Sequence, residues 1–389
     1  MNELKLIKNC RLYNTSANEK TTDILIEGKY IKSLGSNSTA DVNPGNAEVI
    51  DAGGRIVAPG FIEVHIQGAG GSDVLDNSVE ALENISKTLA SLGTTSYLGT
   101  TVVRPKDGNK HLKLAKEYVN KNLGGATLLG FHLEGPFINI KKKGGLDPDS
   151  IYAPSIQAMD EILDLLGNTL KMMTIAPELP GNLDVIKSVV KNSVIASFAH
   201  SEADYYQIKK GFDAGINHVT HLFNAMLPLN HRNPGPIAAI FEHSEITAQI
   251  ISDGHHIHPS MVNLAYRLLG SERCICITDG MQGMGLPEGN YIYNGKEYIS
   301  KAGAAKYLDG TLIGSTMSLG NIAIKFMGFT GCSLKEAIDS VTINPAKLLG
   351  IDDKKGSVEA GKDADLVILN DDYSVYRTVV NGEVVYKKG

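Results

Sequence analysis

The chain has 389 residues, too many for one small module and few for three domains. Hydrophobic residues make up 42% and charged residues 21%, which allows a large packed core and excludes a disordered chain. The formal charge is -6, from 37 Lys+Arg against 43 Asp+Glu; this argues against a nucleic-acid binder working by phosphate neutralisation but leaves room for a small anionic ligand.

The first 58 residues read as short strands: Leu4–Lys8, Asp23–Glu27, Tyr30–Leu34 and Glu48–Asp51, with a tight hairpin at Glu27-Gly28-Lys29. Met1–Lys5 carries no apolar segment leading to a cleavage site. No apolar run reaches the roughly 18 residues of a membrane span. The middle of the chain alternates strand and helix. Eight apolar runs stand out: Gly60–His65, Thr94–Leu98, Thr127–Leu133, Lys171–Ala176, Val194–Ala199, His218–Leu222, Thr247–Ser252 and Cys274–Thr278. Helical patterns lie between them, among them Val79–Leu92, Lys110–Lys121 and Pro259–Leu269. The end of the chain returns to strands at Ala364–Leu369 and Thr378–Val380, with a hairpin turn at Asn381-Gly382. The expected fold is α/β: a (β/α)8 TIM-type barrel over 59–349, with a small β-sandwich domain built from both termini, 1–58 and 350–389. Cys10, Cys274, Cys276 and Cys332 are too few and irregular for a disulfide framework. Cys274 and Cys276 read as reduced core residues of a cytoplasmic protein.

Active sites of such barrels lie at the C-terminal strand ends. Those ends here read His65-Ile66-Gln67, His132-Leu133-Glu134, Ala199-His200-Ser201, Thr220-His221-Leu222, Ser252-Asp253-Gly254-His255-His256 and Thr278-Asp279-Gly280. One histidine at a strand end is more often structural than a ligand. Eight of the eleven histidines falling between His200 and His258 is a stronger pattern. Two imidazoles and a carboxylate can hold Zn²⁺ or Fe²⁺ and leave a position for water. Glu134, His200 and His221 are the first choice for that set. Asp279 is the candidate to move the proton of an attacking water; an ion-paired or helix-capping aspartate is the alternative. The run Lys141-Lys142-Lys143 reads first as a solvated loop, with a phosphate attractor as the alternative, and Gly68-Ala69-Gly70-Gly71 as a flexible loop. His111 and His243 read as surface residues, His218 and His231 as structural, and Asp253 as a cap or an orienting partner.

Several segments together resemble the amidohydrolase superfamily and, within it, the N-acetylglucosamine-6-phosphate deacetylases. They are Pro59–His65, His132–Phe137, Thr220–Met226, Asn233-Pro234-Gly235, Asp309–Ser315, Thr342–Ala346 and Gly361–Val367. The resemblance runs over nearly the whole chain. It implies hydrolysis of N-acetylglucosamine 6-phosphate to glucosamine 6-phosphate and acetate, in amino-sugar catabolism. It implies Glu134, His200 and His221 as metal ligands and Asp279 as the catalytic aspartate. It implies Asn224, Ala225, Arg232 and His256 as contacts to the sugar phosphate, and Gly145, Leu312, Ile313 and Gly314 as further substrate contacts. A homodimer follows by the same analogy, with Arg232 reaching the neighbouring site; read alone, Arg232 is an exposed loop residue.

Two positions depart from the family pattern. Two-metal members carry HxH on strand one, where this chain has His65-Ile66-Gln67. The expectation is one divalent metal, Zn²⁺ or Fe²⁺, with His65 as an auxiliary ligand or a hydrogen-bond partner behind the ligands. Leu146 stands where the family usually has a histidine contacting the amide carbonyl. Either the metal and another group such as His255 or His258 make up for that donor, or the substrate differs. The alternatives are N-acetylgalactosamine 6-phosphate, another N-acyl sugar or a cyclic amide, and, from another class, an inactive barrel kept as a binding scaffold.

Overall fold

The computed structural model describes residues 3–15, 21–35, 47–293 and 295–388. Its centre is a sheet of eight parallel strands taken in sequence order: Phe61–Ile66, Thr94–Thr101, Thr127–Glu134, Leu170–Ile175, Ile195–Phe198, His218–Val219, Thr247–Ile250 and Cys274–Cys276. A helix follows each strand. The first, Val79–Ser91, starts where the Ser78 hydroxyl accepts from the Ala81 amide at 3.1 Å. Leu82, Ile85 and Leu89 recur at helical spacing and are buried against the sheet. Each such side chain contributes about 1.5–3 kcal/mol by leaving water.

The sheet closes on itself. Ile66 and Gly280 form a parallel bridge, and the Gln67 and Gly68 amides donate to the Gly280 carbonyl at 2.9 and 3.1 Å. The seam between strands one and eight has little backbone ladder, so a side chain helps to join it. The buried Glu63 carboxylate accepts from the amides of His65, at 3.0 Å, and Thr278, at 3.1 Å. That contact ties His65 to the segment carrying Asp279.

Both chain ends share a second sheet. Leu4–Leu12, Thr22–Glu27, Tyr30–Leu34, Ala47–Asp51 and Ile56–Pro59 join Leu366–Leu369, Val375–Val380 and Glu383–Lys387. Leu4–Leu12 bends at Asn9, which has a φ of 57°, and so pairs with different strands in its two halves. Ile7, Ile24 and Ile26 then share a core with Val57, Leu366, Ile368 and Val379. The turn at Asn381-Gly382 has positive φ at both residues, as its dipeptide demands. The four cysteines are buried and unpaired. No helix among the described residues is long and apolar enough to cross a membrane.

Lys355 ties the returning chain to this sheet. Its ammonium contacts Asp363 at 3.1 Å and Asp365 at 2.5 Å, with all three side chains nearly buried. Burial alone would lower its pKa, but the two carboxylates outweigh it and raise the value above 10.5. Their stabilisation is complete below the ordinary ammonium pKa and is lost only as pH rises through the higher folded value. Lys355→Met strands two carboxylates and is expected to lower stability at pH 7 by about 3–5 kcal/mol, read as a denaturation midpoint. An unchanged midpoint would show the triad to be energetically idle.

Three local expectations are corrected. Lys110–Lys121 is a shorter helix, Lys110–Ala115, followed by a tight turn at Lys116–Tyr118; Val119 is then extended and Asn120 left-handed, at a φ of 58°. His111 is buried, not on the surface, with Nε2 3.0 Å from the Val102 carbonyl; burial pushes its pKa down to about 4. Gly68–Ala69 pairs with Ser72–Asp73 as an ordered hairpin, because Gly70 and Gly71 both take positive φ. One element was not anticipated. Gly289–Tyr293, Lys296–Lys301, Ala304–Tyr307 and Leu312–Ser315 form an antiparallel meander after strand eight. A bridge between Gly280 and Ser315 joins it to the barrel seam.

Candidate active site

Glu134 ends the third barrel strand, and His200, His221 and Asp279 lie just beyond the fifth, sixth and eighth. The last three adopt left-handed backbone, at φ of 51°, 31° and 49°. Such conformations cost roughly 1–3 kcal/mol each in a non-glycine residue and gather at functional sites. Here they turn His200 and His221 towards Glu134 and set Asp279 beside His65 and Gln67. His200 Nε2 is 3.2 Å from Glu134 Oε1, His221 Nε2 is 3.4 Å from the same oxygen, and the two imidazole nitrogens are 3.0 Å apart. Donors bound at about 2.0–2.1 Å by a tetrahedral metal stand roughly 3.3–3.4 Å from one another. The three atoms therefore fit one divalent ion, and the set can hold a metal.

His200 Nδ1 lies 2.7 Å from the Lys142 carbonyl, so Nδ1 carries the proton and Nε2 keeps its lone pair for the centre. His221 Nδ1 is buried with no partner among the described residues. Burial pushes the Glu134 carboxyl up in pKa, but the charge of His65 and hydrogen bonds from three imidazoles hold it well below the ordinary value. Burial lowers the pKa of His221, and the bonds to Glu134 only partly offset it.

His65 lies beside this set. Its Nδ1 is 2.9 Å from Gln249 Oε1, and its Nε2 is 3.5 Å from Glu134 Oε1 and 3.3 Å from Asp279 Oδ1. Gln67 has a function that a reading of metal ligands alone misses. Its amide nitrogen donates to Glu134 Oε2 at 3.3 Å and to Asp279 Oδ1 at 3.1 Å. It therefore links the carboxylate of the ligand set to the candidate base. The Asp253 carboxylate accepts from the His255 and His256 amides and holds His256 Nδ1 at 2.7 Å. It holds the turn that follows and orients His256, and no helix starts at it to be capped; His256 Nε2 is left 3.9 Å from Asp279 Oδ2.

A cavity of about 310 Å³ opens over these residues. Glu134, His200, His221 and Asp279 line it, as do Asn224, Ala225 and His256. Gly145, Leu146, Leu312 and Ile313 form other parts of its wall. Leu146 is buried beside Val102 and Ile138, so its side chain brings no polar atom. Gly314 does not line the cavity. Its φ is 153°, and a Cβ there would stand 2.5 Å from the Asp279 carbonyl, so its absent side chain lets the meander approach the candidate base. Arg232 is exposed and outside the cavity of its own chain. His255 points at the Ala302 carbonyl, 3.0 Å away, and His258 caps the helix Pro259–Leu269. Neither stands in for the donor that Leu146 lacks.

Five residues of the wall were not among the predicted site residues: Gln67, Lys141, Lys142, Gly144 and Tyr293. Lys142 lines the cavity, half-buried, and its ammonium has no partner among the described residues, in contrast to the solvated-loop expectation. The His200 contact to its carbonyl is what turns that loop inward. Tyr293 comes from the unanticipated meander.

The family model for the amidohydrolase family matches residues 56–385. The chain belongs to the amidohydrolase family. It is 36% identical over 348 residues to the N-acetylglucosamine-6-phosphate deacetylase of Bacillus subtilis, covering 88% of each chain. It is 31% identical over 346 residues to the N-acetylgalactosamine-6-phosphate deacetylase of Escherichia coli O157:H7, covering 89% of this chain and 92% of that one. Among solved structures, the N-acetylglucosamine-6-phosphate deacetylase of Pasteurella multocida superposes with a TM-score of 0.89 at 29% identity, over 98% and 99% of the two chains. An aspartate-to-alanine mutant of the Mycobacterium smegmatis enzyme, in complex with N-acetyl-D-glucosamine-6-phosphate, gives 0.88 at 28% identity, over 99% and 100%. Amidohydrolases are metal-dependent hydrolases, and the Glu134, His200 and His221 cluster is this chain's counterpart in donor chemistry.

Proposed function

We propose that this amidohydrolase removes the acetyl group from N-acetylglucosamine 6-phosphate, releasing acetate and glucosamine 6-phosphate. The observation that carries the reading is the single cavity holding a three-donor cluster beside Asp279, in a chain aligned nearly end to end with deacetylases. A divalent metal held by Glu134, His200 and His221 would polarise the acyl carbonyl and lower the pKa of a water towards about 7. Asp279 takes a proton from the attacking water as its oxygen bonds to the acyl carbon. Gln67 and His65 hold that carboxylate in place. Asp279 then returns the proton to the sugar nitrogen as the C–N bond breaks, so the amine and acetate leave with atoms balanced.

Lys142 supports an anionic substrate, because it places on the cavity wall a cation with no partner among the described residues. Arg232, outside its own chain's cavity, fits the reading in which a second copy supplies it, as a homodimer. The barrel (59–349) then carries the chemistry and the terminal sheet (1–58 with 350–389) is a separate β domain in a cytoplasmic enzyme. The second reading is N-acetylgalactosamine 6-phosphate, favoured by the Escherichia coli relative and by Leu146.

Acetate release from N-acetylglucosamine 6-phosphate, its galacto epimer and unphosphorylated N-acetylglucosamine separates these. Turnover of the gluco phosphate far above the others is expected. Preference for the epimer would transfer the assignment, and no turnover of any would overturn it. Lys142→Ala and Arg232→Ala should each raise KM for the phosphorylated substrate about tenfold or more, as expected for a charge-assisted hydrogen bond of roughly 1.5–3 kcal/mol. Unchanged KM in both would remove the phosphate from the reading.

A further inference from the structure

Hydrolysis of an amide places negative charge on the acyl oxygen, and a donor aimed at that oxygen is worth about 10²–10³ in rate. Leu146 offers none. The other polar groups of the wall are mostly committed. Gln67 donates to Glu134 and Asp279, Asn224 to the carbonyls of His221 and Leu222, and Lys141 pairs with Glu202. His256 Nε2 faces Asp279, and Lys142 is the half-exposed cation assigned to the anionic group of the substrate.

Tyr293 remains. It ends the first strand of the meander, is 5% exposed, and lines the cavity with the ligand set. Met281 and Ile313 pack against its ring. Its hydroxyl has no hydrogen-bond partner among the described residues and is not one of the fully sealed polar atoms, so it can donate to a molecule in the cavity that its side chain lines. Leu75 packs against both the Tyr293 cluster and the Leu146 cluster, so the two side chains belong to adjoining walls. Burial, with the nearby charges of Asp73, Glu134 and Asp279, raises the phenol pKa well above 10, and so it stays a donor at working pH.

We propose that Tyr293 contacts the substrate, its hydroxyl donating a hydrogen bond to the acyl oxygen as that oxygen gains charge, in the place that Leu146 leaves without a donor. This rests on the deacetylase reading. It adds that the meander supplies part of the reaction's machinery as well as part of the wall.

The test is Tyr293→Phe in the full-length, metal-loaded enzyme. Its kcat should fall on the order of 10- to 100-fold with KM nearly unchanged, since the bond strengthens only as charge develops. A phosphonamidate in which a tetrahedral methylphosphonyl group replaces the acetyl should bind more weakly by a similar factor. The product amino-sugar phosphate, which has no acyl oxygen, should bind as to wild type. Leu146→His in the Tyr293→Phe background should restore part of kcat by supplying a donor from the adjoining wall. Turnover of Tyr293→Phe within twofold of wild type, or equal weakening of product and phosphonamidate, overturns the proposal while leaving the deacetylase reading intact. A wild-type enzyme that releases no acetate from any N-acetylhexosamine 6-phosphate overturns both.

Discussion

Asp279→Asn is expected to lower kcat by about 10²–10⁴, with metal content at the wild-type level and KM little changed. The side chain touches three groups: Gln67 Nε2 at 3.1 Å, His65 Nε2 at 3.3 Å and His256 Nε2 at 3.9 Å. An asparagine oxygen can keep the Gln67 bond, and so the geometry of the cavity should survive. What it cannot do is accept a proton from water and return it to the leaving nitrogen. Asp279 also lies outside the three-donor cluster, which is why metal content separates its role from that of a ligand. Turnover in the asparagine variant comparable to wild type would place the proton transfer elsewhere, with His256 as the next group at hand. Loss of the metal together with activity would make Asp279 a ligand and not the base.

The barrel and the residues that converge at its mouth were legible because both follow from short-range pattern. Strands of four to eight apolar residues alternating with helical stretches leave few architectures, and the residue that ends each strand faces the mouth. Reading those ends yields Glu134, His200, His221 and Asp279 without any knowledge of side-chain contact. The left-handed backbone of the last three was not legible. Histidine and aspartate in an apolar run give no sign that the chain turns sharply there.

The walls were harder. Lys142 sits in a run of three lysines, and charge alone argues for solvent; a carbonyl contact to His200, 58 residues further on, turns the loop inward. Tyr293 lies in a stretch whose alternation and Asn294-Gly295 and Asp309-Gly310 dipeptides do signal hairpins. The eight-strand count left no reason to look for a further sheet that folds over the cavity. Gln67 was read for what it is not, a ligand. Its amide bridges two carboxylates, a role visible only once Glu134 and Asp279 are brought within reach of the same side chain. Arg232 shows the opposite limit. Its exposure in one chain agrees with the loop reading, and the proposed dimer is what would bring it to a substrate.

His200→Ala is expected to abolish both metal binding and turnover, whereas His65→Ala should leave close to one metal per chain. His200 supplies one of three convergent donors. Its other nitrogen is fixed by the Lys142 carbonyl at 2.7 Å, and its own carbonyl accepts from the Asn139 amide at 2.8 Å. Removing it leaves an imidazole and a carboxylate, too few to hold an ion tightly. His65 instead contacts Glu134 and Asp279 from the side, so its loss should loosen the metal by the 10- to 100-fold typical of an outer partner. Metal analysis after dialysis reads both. A chelator adds a measurement independent of turnover: an ion present at about 100 times its Kd stabilises the fold by about 2.7 kcal/mol. Stripping wild type should therefore lower its unfolding midpoint, and stripping the His200→Ala variant should not. Two metals per chain in wild type, falling to one in His65→Ala, would make His65 a ligand of a second ion. A midpoint in His200→Ala that still falls on chelation would show that Glu134 and His221 hold the metal without it.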